Sequence, residues 1–231
     1  MTERVAVILP ALNEEASLRG TLEELTGIAQ ASIEQLILVD NGSTDATAEV
    51  ALSAGAEVIS EPRRGYGHAC LAGIAALRKE ITTVVFMDAD GSDDPRELSR
   101  LLEPIEGGEA DMVLGSRVQA EREVGALSAQ QRLGNALATG LMRVLVGARY
   151  TDLGPFRAVR REALERLEMR DKNFGWTIEM QIKAQRRGLR VQEIPVNYRR
   201  RRGGRSKVSG NPVEAVKAGG KILWTILRYA L

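Results

Sequence analysis

Two aspartates separated by a single alanine, Asp88 and Asp90, are the residues of this sequence best suited to chemistry. Hard cations such as Mg²⁺ or Mn²⁺ prefer carboxylate oxygen and keep positions open for phosphate and water, so two acids on a tight turn suit a metal-bridged diphosphate. The acids continue through Gly91-Ser92-Asp93-Asp94-Pro95. Asp93 or Asp94 can cap a helix opened by Pro95, but capping leaves Asp88 and Asp90 unexplained. Asp40, in Asp40-Asn41-Gly42-Ser43-Thr44-Asp45, can accept hydrogen bonds from a nucleobase or from the following turn, with Asp45 the better placed cap. Arg63-Arg64-Gly65-Tyr66-Gly67 combines basic residues with glycines that permit close backbone approach to a phosphate. Arg199, Arg200, Arg201, Arg202, Arg205 and Lys207 form the densest basic tract. It reads as a phosphate clamp, a nucleic-acid patch, an anionic-membrane contact or a solvated loop, and its few aromatics argue against stacking on nucleic acid.

Other chemistries lack their parts. His68 and Cys70 are single residues of their kinds, which removes a zinc site and a Cys/His nucleophilic pair. The Gly65 segment has Cys70 at the third glycine position of a dinucleotide fingerprint, and no Walker-type lysine motif is present. An aspartyl-phosphate phosphatase carries its Asp-x-Asp after the first strand, whereas here the pair follows the fourth.

The elements that must position these residues follow from hydrophobic patterning. Continuous apolar runs predict strands at Val5 to Leu9, Leu36 to Val39, Glu57 to Ile59, Thr83 to Met87 and Met112 to Leu114. Helices are predicted between them at Glu14 to Ile28, Asp45 to Leu52, His68 to Leu77 and Pro95 to Leu102. Short apolar strands alternating with helices imply an α/β, Rossmann-like, mostly parallel sheet with helices on both faces. Ligands then bind beyond the carboxyl ends of the strands, where the acids fall. The second half is less regular: Arg117 to Gln131 reads as a loop, followed by helices at Arg132 to Val146, Glu162 to Leu167 and Trp176 to Arg187. A strand at Val191 to Tyr198, a basic loop to Gly210 and a final helix from Pro212 to Leu231 complete it. That last helix is interrupted by Lys217, Lys221 and Arg228, so it is expected to pack on the domain or rest on a membrane surface through Trp224 and Tyr229, without spanning.

Charge divides along the chain. The 231 residues carry a formal net charge of +1, but residues 1–116 hold 8 Lys+Arg against 21 Asp+Glu and residues 117–231 hold 24 against 10. An acidic, metal-binding half beside a basic, anion-handling half is the expectation. One cysteine allows no internal disulfide, and the N-terminus lacks signal-peptide character, so a cytoplasmic setting is the default.

The ordered set Val7-Ile8-Leu9-Pro10-Ala11-Leu12-Asn13-Glu14, Val39 to Asp45, Asp88-Ala89-Asp90, Gly115-Ser116-Arg117 and Gly204-Arg205-Ser206-Lys207 resembles family 2 glycosyltransferases. The nearest likeness is to the branch related to dolichol-phosphate mannose synthase. The resemblance implies a single GT-A domain over 1–231, with a nucleotide-sugar and metal half at 1–116 and an acceptor-side half with a C-terminal helix at 117–231. It implies inverting transfer from a GDP- or UDP-linked sugar, with Mg²⁺ or Mn²⁺. Pro10, Ala11, Leu12, Glu14, Asp40, Gly65, Asp88 and Ala89 would bind the nucleotide sugar. Asp90 and Asp88 would hold the metal, with Ser92 where close relatives often have Gln. Arg117, Arg201, Ser206 and Lys207 would hold the acceptor phosphate or the leaving diphosphate.

The acceptor decides whether a base is needed. A polyprenyl phosphate is already an anionic nucleophile, whereas a hydroxyl acceptor must lose a proton. Glu179 and Asp152 are the candidates for that base, and a structural ion pair with nearby arginines is an equal reading of each. Three functions stay open: transfer to a polyprenyl phosphate at a membrane surface, transfer to a small alcohol or carbohydrate, and noncatalytic nucleotide-sugar binding. Peripheral membrane contact and a homo-oligomer are compatible with the first, and nucleic acid is not an expected partner.

Overall fold

A computed structural model of the chain describes residues 3–29, 33–120, 122–204 and 212–230. The apolar runs form the strands expected of them: β1 (Val5–Ala11), β2 (Ile33–Asp40), β3 (Glu57–Ser60), β4 (Thr83–Phe86) and β5 (Met112–Ser116). Between them lie α1 (Glu15–Ala29), α2 (Thr47–Ser53), α3 (Tyr66–Ala75) and α4 (Leu98–Glu106), the last entered through a 3-10 turn at Pro95–Glu97. Asp94 caps that turn, accepting the Arg96 amide at 3.1 Å, as one of the two expected caps.

The second half adds α5 (Ala129–Val146), β6 (Arg157–Arg160), α6 (Arg161–Leu167), α7 (Trp176–Arg186), β7 (Val191–Pro195) and α8 (Pro212–Ala230). Together the strands make one seven-stranded sheet in the order β3-β2-β1-β4-β6-β5-β7. All neighbours run parallel except β6, which is antiparallel to both β4 and β5. This strand has no counterpart in the hydrophobic pattern. It is four residues long, Arg-Ala-Val-Arg, and both ends are charged. Its first residue, Arg157, is buried and donates to the carbonyls of Gly154, Pro155 and Thr177, so an arginine here serves as an internal scaffold.

The loop expected over Arg117 to Gln131 ends earlier than patterning implies. Ser128 caps α5: its hydroxyl accepts the Gln131 amide at 3.1 Å, while the Gln131 side chain accepts the Ser128 amide at 2.8 Å. That reciprocal pair is readable in the sequence as Ser-x-x-Gln. The strand expected as far as Tyr198 stops at Pro195, and Tyr198 makes only isolated bridges to Asp93 and Arg122.

Two apolar layers sandwich the sheet. On one face Leu18, Leu22 and Leu25 of α1 join Leu98, Leu101, Leu102 and Ile105 around α4. On the other, Cys70 of α3 packs with Leu164, Leu167, Trp176 and Met180, and Trp176 meets Phe86 edge to face at 5.9 Å. A smaller cluster joins Ala138 and Met142 of α5, Ile178 and Ile182 of α7 and Ile226 of α8. The C-terminal helix thus packs on the domain, while Leu223, Trp224 and Leu227 remain exposed. Among the described residues, no helix is long and apolar enough to cross a membrane.

Packing leaves no room at Gly73, where α3 crosses the sheet. An added Cβ would lie 2.6 Å from Ile8 Cγ2 and 3.2 Å from Val39 Cγ2. Overpacking of this kind costs about 1–3 kcal/mol, more than the roughly 1 kcal/mol of helix propensity that alanine would return. Gly73→Ala should therefore lower the urea midpoint, whereas Gly134→Ala, at an exposed α5 position with nothing within 4 Å, should raise it.

Candidate active site

The carboxyl ends of β1, β2, β4 and β5 converge on one cavity of about 550 Å³. Pro10 and Ala11 end β1 and Leu12 and Glu14 follow it, Asn41 follows β2, Asp88, Ala89 and Asp90 follow β4, and Arg117 follows β5. Arg64, Gly65, Tyr66 and Ala69 form one wall with Asn173 and Phe174, and Tyr198, Arg201 and Gln131 contribute from the second half. All the strand-end residues expected at the nucleotide sugar line the cavity except Asp40. The Asp40 carboxylate instead accepts the Ser43 amide at 2.9 Å, the turn role open to it from sequence.

Its neighbour Asn41 does the work of shaping this corner. The buried amide donates to the carbonyls of Glu61 and Arg63 at 2.9 and 2.8 Å and accepts the Gly65 amide at 2.8 Å. An aspartate could accept but could not make the two donations, so the Asn fixes the Arg63–Gly67 turn to the end of β2. The first two loops are locked in a similar way. Asn13, at a positive φ of 52°, accepts the Thr44 amide at 2.8 Å, its own amide donates to Ser43, and the Glu14 amide donates to Thr47. The glycines beyond them serve backbone packing: a Cβ at Gly67 would fall 2.1 Å from the Asp171 carbonyl oxygen. Arg63 points outward onto Glu61 at 2.6 Å, and Arg64 is the arginine of this turn that reaches the cavity.

Three carboxyl groups crowd the end of β4. Asp93 is buried and accepts the Asp88 amide at 3.0 Å through one oxygen, while its other oxygen has no partner. Burial first, and then the neighbouring Asp90, push its pKa up to about 7. Burial likewise raises Asp88, reinforced by Asp90 and Asp93. Ser92, expected as a metal ligand, does not line the cavity; its hydroxyl and amide hold the Asp90 Oδ1 at 2.5 and 2.9 Å, orienting that carboxylate instead. No group of three Asp, Glu, His or Cys side chains converges as a metal cluster among the described residues. Two carboxylates on the cavity wall nonetheless fit Mg²⁺ or Mn²⁺, which are commonly held by one or two carboxylates together with substrate phosphate oxygens and water.

Basic residues from the second half close over these acids. Arg201 reaches Glu14 at 2.5 Å and Asp90 at 2.9 Å. Arg199 reaches Glu24 at 2.7 Å and Asp94 at 2.5 Å, and Arg202 also pairs with Glu24. Acids of the first half and arginines of the second therefore meet as ion pairs, those of Arg201 at the cavity itself. Arg201 keeps a raised pKa because Glu14 and Asp90 outweigh its burial. Ser206 and Lys207 lie outside the described residues.

Both candidate bases are committed elsewhere. Asp152 takes a two-pronged grip from Arg117, with Nε at 2.7 Å and Nη2 at 2.8 Å, and Arg117 also lies over the Tyr198 ring at 5.1 Å. Burial opposes ionisation of Asp152, but Arg117 holds its pKa below the ordinary value. Arg117 does line the cavity, as expected, with its charge already shared. Glu179 is fully buried away from it, accepting the Arg170 and Asp171 amides and pairing with Lys183 at 2.6 Å. Each is in a structural ion pair, Asp152 with an arginine as expected and Glu179 with Lys183 instead. Sequence reasoning missed Asn41, Gln131, Asn173, Phe174 and Tyr198 as cavity residues; only Gln131 carries a local signal, its capping box.

Comparison with known proteins agrees with this architecture. The model of glycosyl transferase family 2 matches residues 6–168, and the chain belongs to that family. An uncharacterized glycosyltransferase of Mycobacterium tuberculosis is 40% identical over 211 residues, covering 90% of this chain and 91% of its relative. Polyprenol monophosphomannose synthase of Mycolicibacterium smegmatis is 34% identical over 229 residues, covering 92% and 83%. Among solved structures, glucosyl-3-phosphoglycerate synthase from Mycobacterium tuberculosis, in complex with Mn²⁺, UDP-glucose and phosphoglyceric acid, matches with a TM-score of 0.80. That match is at 25% identity and covers 99% of this chain and 80% of the other. The fold is GT-A, and the protein is a glycosyltransferase.

The Arg117–Asp152 pair should dominate local stability. Removing one partner of a buried pair leaves an uncompensated charge and costs about 3–5 kcal/mol, whereas exposed pairs are worth under about 1 kcal/mol. Asp152→Ala should therefore destabilise strongly in urea, and Glu165→Ala, which breaks the exposed Arg161 pair, only slightly. Because the Asp152 pKa is lowered on folding, its contribution is present above the unfolded value near 3.8 and is lost as pH falls through the folded value. The gap between wild type and Asp152→Ala should narrow only on acidification below about pH 4.

Proposed function

We propose that this glycosyltransferase moves a sugar from a nucleotide diphosphate sugar to a polyprenyl phosphate, with a divalent cation. What supports this acceptor is that, among the described residues, neither candidate base is available: Asp152 and Glu179 are consumed by buried ion pairs. Of the carboxylates lining the cavity, Glu14 pairs with Arg201, and Asp88 and Asp90 are the two that would hold the cation. A phosphate monoester needs no deprotonation. Its oxygen bonds to the anomeric carbon as the bond to the diphosphate breaks, and the electron pair leaves with the diphosphate. The named activity of the mycolicibacterial relative supports this acceptor.

The residues divide the work by charge. Leu12, Asn41 and the Arg64–Tyr66 wall line the cavity and would enclose the base and ribose, leaving Asp88 and Asp90 to face the diphosphate. A cation held by these two carboxylates would offset charge growing on the leaving diphosphate. Arg201 must release Asp90 for that to happen, and once released its guanidinium is at the cavity to meet an incoming phosphate. Ser92 keeps the Asp90 carboxylate aimed throughout.

A second reading is favoured by the solved relative bound to phosphoglyceric acid, a small phosphate-bearing acceptor. The two are separated by assaying UDP- and GDP-linked sugars with Mn²⁺ or Mg²⁺ against a short-chain polyprenyl phosphate and against 3-phosphoglycerate. Transfer to the polyprenyl phosphate is expected, falling by about 10²–10³ in Asp90→Asn, the scale seen when one preorganised charge-stabilising group is lost. Transfer to phosphoglycerate alone would move the assignment to the second reading.

A further inference from the structure

Helix α5 has two apolar faces, and only one is used. Ala138 and Met142 enter the small core shared with α7 and α8. On the opposite side Leu133, Leu137 and Val144 recur at intervals of four and seven residues, exposed by 62%, 62% and 81%. The stripe extends about 16 Å along the helix axis. Helix α8, packed beside α5, adds Leu223, Trp224 and Leu227, each nearly half exposed, while its Thr225 and Ile226 are buried. Isolated exposed leucines need no explanation, but this set runs over two adjoining helices.

We propose that α5 and α8 are the surface by which this chain lies on an anionic lipid bilayer, with the apolar side chains at the headgroup boundary. Charge selects that occupant. From Ala129 to Val146 helix α5 contains no Asp or Glu, and its Arg132 and Arg143 are exposed. On α8, Lys221 and Arg228 lie over the Trp224 ring at 4.4 and 4.8 Å, an aromatic ring flanked by cations as at a membrane interface. Lys221 also pairs with Asp171, which leaves Arg228 and the α5 arginines as the cations presented outward. The sole acid of α8 in the sequence is Glu214. A second copy docked through the same face would set these cations against each other, whereas a phosphatidylglycerol surface complements them.

The surface also adjoins the chemistry. Gln131, in the first turn of α5, lines the catalytic cavity, and Leu133 stands two residues further along the same helix. A lipid-linked phosphate could therefore leave the bilayer beside α5 and enter the cavity without its chain crossing open water. This step rests on the polyprenyl-phosphate reading, but docking itself is measured without any acceptor.

The test is co-sedimentation of the full chain with vesicles of phosphatidylcholine alone or mixed with phosphatidylglycerol, followed also by tryptophan emission. Trp176 is fully buried, so a blue shift on binding reports Trp224. Partition into the anionic vesicles should exceed that into neutral ones at least about tenfold and weaken with salt, since each cation at such a surface is worth roughly fivefold. The double variant Leu137→Ser, Val144→Ser should lose about tenfold or more of that partition, with an unchanged melting curve. Its transfer to a short-chain, water-soluble polyprenyl phosphate should be unchanged. Equal partition of the variant and the parent would overturn the proposal. So would a parent that ignores vesicles but forms a dimer that the double variant abolishes. Loss of transfer with vesicle binding intact would count against the acceptor reading and leave the docking surface standing.

Discussion

Three carboxyl groups crowd the carboxyl end of β4, Asp90 and Asp93 buried and Asp88 at the cavity wall, and the packing of the second half answers to them. Asp88, Asp90 and Asp93 cannot all be charged in that space without compensation, and burial already drives Asp88 and Asp93 toward the protonated form. The fold answers by bringing arginines from the far end of the sequence across the same edge. Arg201 satisfies Asp90 and Glu14 together, and Arg199 satisfies Asp94 and Glu24. The proposed cation site and the packing of the second half over the first thus answer one electrostatic problem.

That closure explains why the second half is irregular yet well fixed. Its antiparallel strand β6 fills the gap between β4 and β5, and buried Arg157 secures the Gly154–Pro155 turn to α7. Arg117, at the end of β5, is clamped to Asp152 and lies against Tyr198, so one side of the cavity is rigid while the other is held by an ion pair that a ligand can replace. A fixed contact on one wall and an exchangeable one on the other would suit the proposed diphosphate site.

The parts legible in the sequence were those with local causes. Strands β1, β2, β4 and β5 are continuous apolar runs, and the acids following them fall at strand ends wherever the exact boundaries lie. The family resemblance rested on those same loops and held. Strand β6 was illegible because it is four residues bounded by arginines, and it is stabilised by two neighbours far away in sequence. The use of Asp152 was undecidable for a similar reason, since Arg117 lies 35 residues away, whereas Glu179 pairs with Lys183 one helical turn on and only its burial required the fold. Asn41 stood inside the Val39–Asp45 motif of the resemblance, but that its amide ties the Arg63–Gly67 turn to the end of β2 was not readable from the motif. The halves of opposite charge were visible from composition, but that Arg199, Arg201 and Arg202 meet Glu14, Glu24, Asp90 and Asp94 required the fold.

Arg201 stands as the counter-charge of Asp90, the carboxylate proposed to hold the divalent cation. Electron paramagnetic resonance titration of Mn²⁺ into the ligand-free protein measures this directly. Arg201→Gln should bind Mn²⁺ about tenfold more tightly than the parent, because the cation no longer competes with a charge-assisted contact worth roughly 1.5–3 kcal/mol. Asp90→Asn should bind it more weakly than either. Equal affinity in the parent and Arg201→Gln would contradict the account.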